Sequence, residues 1–243
     1  MNTFNKTLIL SCLPILLGLQ QVYAATYYVS SSGLDTNNGT ATSTPLKTIS
    51  AALNKAVSSD TVYVMTGTYV EMIQLTKDGI TLSAAPNNTP VIDGQTTLPN
   101  VSNGALIMVT GNNNTISGFE VKNSNIKGTV SGGHGVQLIG HHNKLSQMNI
   151  HDSWQYGVFA NGDYSTVENS VIWQNSKVNS SGTASSWAAG IGSGQNKSAV
   201  ALKSGVTSYT VLRGNKVFNN WGDGITCFEV DRCTAENNMR IKS

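Results

Sequence analysis

The stretch Ser198 to Gly205, "SAVALKSG", is a run of small apolar residues that closes on a lysine. An amine on such a strand becomes a base only when desolvation or neighbouring positive charge pulls its pKa toward the working pH. Otherwise Lys203 has the usual fate of a lysine, a solvated head on a sheet face. Arg213, further along the same repeat, offers a guanidinium to a carboxylate. Asp152 and Asp163 are the nearest carboxylates that a bound cation would use, a thin basis for a metal site. His141, His142 and His151 lack the spacing of a metal-ligand set and read as loop residues.

What positions these side chains is a repeat. "NNTISGFEVKNS", "HNKLSQMNIHDS", "YSTVENSVIWQNS" and "SYTVLRGNKVFNN" align with one another, and each follows a short apolar strand. Those strands are "LIMVT", "GVQLI", "GVFAN", "AVALK" and "GITCF". Their second positions are Ile107, Val136, Val158, Val200 and Ile225, and their fourth are Val109, Leu138, Ala160, Leu202 and Cys227. Side chains alternate across a strand, so these two columns face inward. The third column (Met108, Gln137, Phe159, Ala201, Thr226) and the fifth (Thr110, Ile139, Asn161, Lys203, Phe228) face outward. Lys203 therefore shares its column with Asn161 and Phe228, while Phe159 and Phe228 wall the site from neighbouring coils; Asn161, Phe159, Phe228 and Arg213 are the candidate substrate contacts.

The step is 22 residues from Val136 to Val158 and 25 from Val200 to Ile225. Three short strands per turn at that spacing make an all-β fold, a right-handed parallel β-helix. A β-sandwich would need tight hairpins and would not keep the columns in register. The longer step from Val158 to Val200 puts "NSKVNSSGTASSWAAGIGSGQNK" outside the stack as a Ser/Gly-rich insertion. At the front, "TISAALNKAV" places Ile49, Ala52, Leu53, Ala56 and Val57 at helical spacing behind an N-cap at Thr48, an N-terminal capping helix over Thr48–Val57. Asn123, Asn215 and Asn219 read as structural turn residues. At the far end, Arg240 falls in a column otherwise filled by Val121, Ile150, Ile172 and Val217, which suggests a helix incomplete at its C-terminus.

The bulk properties set the context. Residues 1–24 have a lysine, an apolar run and a small-residue ending, the pattern of a secretory signal peptide, with the β-helix domain over 25–243. The expectation is a secreted protein, extracellular or periplasmic, monomeric, with no membrane span after signal cleavage. Charged residues make up 12% of the chain and the net charge is +2 without a basic stripe, so nucleic acid is not an expected partner. Two cysteines follow the signal, Cys227 and Cys233; a buried thiol at Cys227 is favoured over a disulfide.

"YYVSSSGLDTNNGTATSTPLKTISAALNKAVSSDTVYVMTGTYVE" resembles the opening of secreted right-handed parallel β-helix proteins, among them pectate lyases of polysaccharide lyase family nine. "AVALKSGVTSYTVLRGNKVFNNWGDGI" is similar, without gaps, to the segment of that family in which a strand of small residues ends in the catalytic lysine. Its Arg-Gly, Asn-Asn and Asp-Gly pairs correspond to Arg213-Gly214, Asn219-Asn220 and Asp223-Gly224, and the lysine to Lys203.

The resemblance implies β-elimination on an acidic polysaccharide of uronic acid, with Lys203 as base. It also implies calcium, but residues 174–198, which should carry the acidic cluster that holds the ion, contain no Asp or Glu. Two other readings stay open: a non-catalytic secreted carbohydrate-binding or surface protein, and a glycoside hydrolase or epimerase on the same scaffold. "GHG" at 133–135 and "RIK" at 240–242 are similar to polygalacturonase motifs, but the paired aspartates of that chemistry are missing.

Overall fold

The computed structural model describes residues 23–99, 104–124, 132–176, 188–194, 209–228 and 232–241. Three parallel sheets run the length of the molecule, and from Thr61–Val64 onward the chain visits them in rotation. Sheet A holds eight described strands, from Thr26–Val29 to Arg232–Glu236; sheet B holds seven, from Gly67–Tyr69 to Met239–Ile241; sheet C holds six, from Ile73–Leu75 to Asp223–Phe228. Each strand pairs with those one coil before and after it, which is the β-helix expected from the repeat.

The interior is filled by inward apolar residues, one per strand through most of sheets A and B and two in much of sheet C, where Val109, Leu138 and Ala160 join the first column. Ile116, Leu145, Val167 and Leu212 come from sheet A, Val121, Ile150, Ile172 and Val217 from sheet B, and Ile107, Val136, Val158 and Ile191 from sheet C, all without solvent exposure. Corners need a residue with left-handed backbone, and Asn supplies several: Asn113, Asn123, Asn169, Asn219 and Asn237 have φ between 51° and 58°. Other asparagines stack as ladders that satisfy backbone groups. Asn175 Oδ1 accepts from Ser153 N, and its Nδ2 donates to the Ile150 carbonyl; Asn220 Oδ1 accepts from Asn175 N one coil on. Asn215 belongs to another such ladder, with Asn238 accepting from its backbone N–H, whereas Asn219 shapes the turn beside the ladder residue Asn220.

One strand corrects the sequence reading. Val158 pairs with Ile191, and Ile191 with Ile225, so Ile191 takes the inward place expected of Val200. Ser193, Gly192 and Gly194 likewise take the places given to Leu202, Ala201 and Lys203. Ala189–Gly194, read as part of an external insertion, is a strand of sheet C. Residues 195–208, with Val200 and Lys203, lie outside the described residues.

The front end is capped as expected, by a shorter helix. Ile49–Lys55 is helical, Thr48 Oγ1 accepts from Ala51 N, and Glu71 accepts from Ile49 N and Ser50 N. Ile49, Ala52, Leu53 and Ala56 cover the end of the stack, while Val57, expected in the apolar face, lies beyond the helix and is exposed. At the other end Arg240 pairs in register with Val217, in the column where it was expected. Cys227 and Cys233 form a disulfide with Cα atoms 6.2 Å apart, and Cys227 is exposed, so the buried thiol is not found. The two strands are neighbours of one coil and bring the sulfurs together across its corner.

Candidate functional site on sheet C

The outward side of sheet C is built from residues that alternate with the core column. Met108, Gln137, Phe159, Gly192 and Thr226 stand in one row along the stack. Phe159 is only 5% exposed, so it is a packed floor and not the open wall expected of it. Its ring stacks on Tyr156, with centroids 4.6 Å apart and planes 10° from parallel, and lies 6.0 Å from Phe228. His134 tilts against both Tyr156 and Phe159 at 5.4 and 5.3 Å.

Two glycines make room for this layer. A Cβ on Gly192 would sit 2.7 Å from Tyr156 Cδ1, and one on Gly194 would sit 2.7 Å from Phe228 Cδ2. Real Cβ atoms do not come that close, so the strand beneath these rings has to be glycine at both positions.

Polar groups cross the same face. Asn161 Nδ2 donates to the Gly194 carbonyl, which turns Asn161 Oδ1 toward Gln137, and Gln137 Nε2 donates to it. Because the carbonyl can only accept, both amide orientations follow, and Gln137 Oε1 is left buried with no donor. His134 Nδ1 accepts from Tyr156 N, and burial pushes the imidazole down to about 3, so the ring is neutral at ordinary pH. Burial, with a smaller contribution from the charge of Asp223, pushes the Tyr156 phenol up to about 12.

Of the residues singled out in the sequence, Phe159, Asn161 and Phe228 meet on this face. Arg213 does not. It ends a strand of sheet A, where Nη2 pairs with Glu168 Oε2 at 2.7 Å and Nη1 with Glu236 at 3.6 Å. Lys144 completes that ladder at 2.6 Å from Glu168 Oε1; the bonds from Lys144 and Arg213 hold the Glu168 carboxyl below its usual range. Asp152 and Asp163 follow and precede different corners, flanking the strand Val158–Ala160 from its two ends. Asp152 pairs with His151 at 2.7 Å and Asp163 with His141 at 3.3 Å, so the two are not brought together around one cation. Among the described residues no group of three or more His, Cys, Asp or Glu is placed to hold a metal ion. His151 lies in a strand and not a loop, stacked on Trp173 of sheet B at 4.4 Å. Lys203 lies outside the described residues; the chain leaves sheet C at Gly194 and enters sheet A at Tyr209.

Sequence reasoning missed Tyr156, Gln137 and His134. Gln137 stood in the mixed outward column, and His134 was set aside with "GHG". Tyr156 sits just before the strand and had no signal until Gly192 was known to lie beneath it. A pocket of ≈ 190 Å³ beside the capping helix, lined by Ser31, Lys47, Thr48, Tyr69 and Glu71 among others, is remote from this face.

A three-sheet parallel coil with an aromatic and amide-lined outer face is the architecture of a right-handed parallel β-helix. The chain belongs to the Pel9A-like right-handed β-helix family, whose profile matches residues 27–242. It is similar in fold to solved structures of pectate lyase Pel9A (22% identity, 82% of this chain and 55% of that one, TM-score 0.58) and a rhamnogalacturonan lyase (20%, 89% and 62%, TM-score 0.58). An alginate lyase from Paenibacillus sp. str. FPU-7 is similar as well (19%, 79% and 63%, TM-score 0.53). The chain spans less than two thirds of the length of each of these structures. No curated protein matches the sequence.

Proposed function

We propose that this chain is a secreted polysaccharide lyase that cleaves a uronic-acid polymer lying along the outward face of sheet C, with Lys203 as the base. The observation that supports this most is membership of the Pel9A-like family over nearly the whole chain. Solved structures of similar fold include lyases named for pectate, rhamnogalacturonan and alginate, which places an acidic polysaccharide first among the substrates to test.

The chemistry is an elimination. A neutral lysine amine removes the proton next to the sugar carboxylate, and the glycosidic oxygen departs as a carbon–carbon double bond forms. Phe228, packed over Phe159, supplies apolar contact for sugar rings, and Asn161, held by Gln137, supplies an amide for hydroxyls. Arg213, held by Glu168, is not assigned to the substrate. Calcium enters as an assay variable and no step depends on it. Export rests on residues 1–24; among the described residues no helix is long and apolar enough to cross a membrane.

The test is ultraviolet detection of the unsaturated product from pectate, alginate and glycosaminoglycans, with and without calcium. Lys203→Ala is expected to abolish cleavage with the fold intact. Lys203→Arg is expected to fail too, since a guanidinium stays protonated at ordinary pH. Full activity in either variant would move the base elsewhere. Binding of polymer without unsaturated product from the wild type would favour a non-catalytic carbohydrate-binding protein, and reducing ends without unsaturation a hydrolase.

A further inference from the structure

We infer that removal of the leader gives the fold an ion pair that it lacks before cleavage, between the new α-ammonium of Ala25 and the buried carboxylate of Asp60. This rests on the reading of residues 1–24 as an export signal and is independent of the lyase reaction. Asp60 is a buried acid that the proposed chemistry leaves unused. It is 2% exposed. Its Oδ2 accepts from Val57 N at 2.8 Å and its Oδ1 from Ala25 N at 2.6 Å. Among the described residues no lysine, arginine or histidine forms an ion pair with it. Lys77, which reaches the end of the capping helix, donates instead to the carbonyls of Asn54 and Ala56. A carboxylate withdrawn from water with no cation beside it is costly, and two amide hydrogen bonds offset only part of that cost.

The donor at Oδ1 is the residue that cleavage makes the first. Val22 and Ala24 stand three and one positions before Ala25, the pattern at which a leader is cut. Tyr23 is 78% exposed and Ala24 is exposed, so the Ala24–Ala25 bond is accessible to a peptidase. Ala25 is already part of the fold: its carbonyl accepts from Thr61 N at 2.9 Å, and the strand Thr26–Val29 that follows pairs with Thr61–Val64. The cut therefore falls where exposed chain meets fixed sheet. Hydrolysis of the Ala24–Ala25 amide consumes one water and leaves a carboxylate on Ala24 and an ammonium on Ala25. A nitrogen that donated one N–H now has three and a full positive charge, since an α-amine is ordinarily protonated below about pH 8. It stands at Asp60 Oδ1 with no movement of the backbone. Because the other oxygen of Asp60 holds Val57, just past the capping helix, the pair fastens the cap to the first strand once the leader is gone.

The experiment starts from the N-terminal sequence of the exported protein, expected to begin at Ala25. That chain is compared with the same chain acetylated at its N-terminus, which keeps the N–H donor and removes the charge, each with Asp60 and with Asp60→Asn. Acetylation is expected to raise the unfolding equilibrium constant of the wild type in urea by at least about tenfold and to leave that of Asp60→Asn within about twofold. A second measurement requires no variant: an amine-reactive reagent at neutral pH, followed by mass spectrometry of the N-terminal peptide, is expected to label Ala25 more slowly in the folded wild type than in the urea-unfolded chain. No effect of acetylation on the wild type, an equal effect in both backgrounds, or equal labelling of folded and unfolded chains overturns the pair. An exported protein that begins at another residue also overturns it, with export intact. A chain that is neither cleaved nor exported overturns the reading of residues 1–24, and the pair with it.

Discussion

At the scale of single residues, His134 carries a measurable consequence. Its imidazole is buried and neutral in the fold, with its pKa lowered from 6.5 to about 3 by burial. The unfolded chain takes up a proton below its ordinary pKa and the folded chain does not. Stability from this residue is therefore complete above about pH 6.5 and drains away as the pH falls toward 3, at up to about 1.4 kcal/mol per pH unit. Urea unfolding between pH 6.5 and 5, above the carboxylate range, is expected to show this slope in the wild type. His134→Asn, which keeps an acceptor for Tyr156 N, is expected to flatten it; an equal slope in the variant would place the proton uptake on another group. The sequence showed half of this face. Phe159, Asn161 and Phe228 were visible because they fall in regular outward columns. Arg213 was misplaced for a related reason: its coil was right, but a coil has three sheets, and proximity in sequence does not say which faces share a surface. Tyr156 was invisible because what makes it notable is an absence, the missing side chain of Gly192 beneath its ring.

At the scale of elements, the strand Ala189–Gly194 is the instructive one. Strand preference favours "AVALK" over "AAGIGSG", and glycine and serine usually mark a loop. The structure nevertheless pairs the glycine-rich segment with both neighbours, since only a strand without side chains at positions 192 and 194 fits beneath Tyr156 and Phe228. The columns on either side were legible because aliphatic residues alternate there; the one rung that obeys a packing constraint in place of a propensity was not. Ile191 provides the check. It is fully enclosed in the core, so Ile191→Ala is expected to cost about 2–5 kcal/mol. Thermal and urea unfolding would show it, and a change below about 0.5 kcal/mol, the range of surface substitutions, would remove Ile191 from the core column.

At the scale of the whole molecule, the coils form a one-dimensional stack in which each touches only its neighbours. Protection is then expected to follow position. Amide hydrogen exchange should be slowest in the coils that contain His134–Leu138 and Val158–Ala160, which are paired on both sides. It should be faster in Arg232–Glu236, mostly exposed and paired on one side only among the described residues. Uniform exchange along the stack would mean that the coils open together as one unit.

The strand Ala189–Gly194 has one more consequence, for descent. Ile191 pairs with Val158 on one side and Ile225 on the other, so this glycine-rich rung joins the registers of both flanking coils. Tyr156 and Phe228 leave no room for a Cβ on Gly192 or Gly194. A lineage is therefore expected to keep these two glycines even where the chemistry of the face diverges, because what preserves them is the space under the rings and not any role toward a substrate.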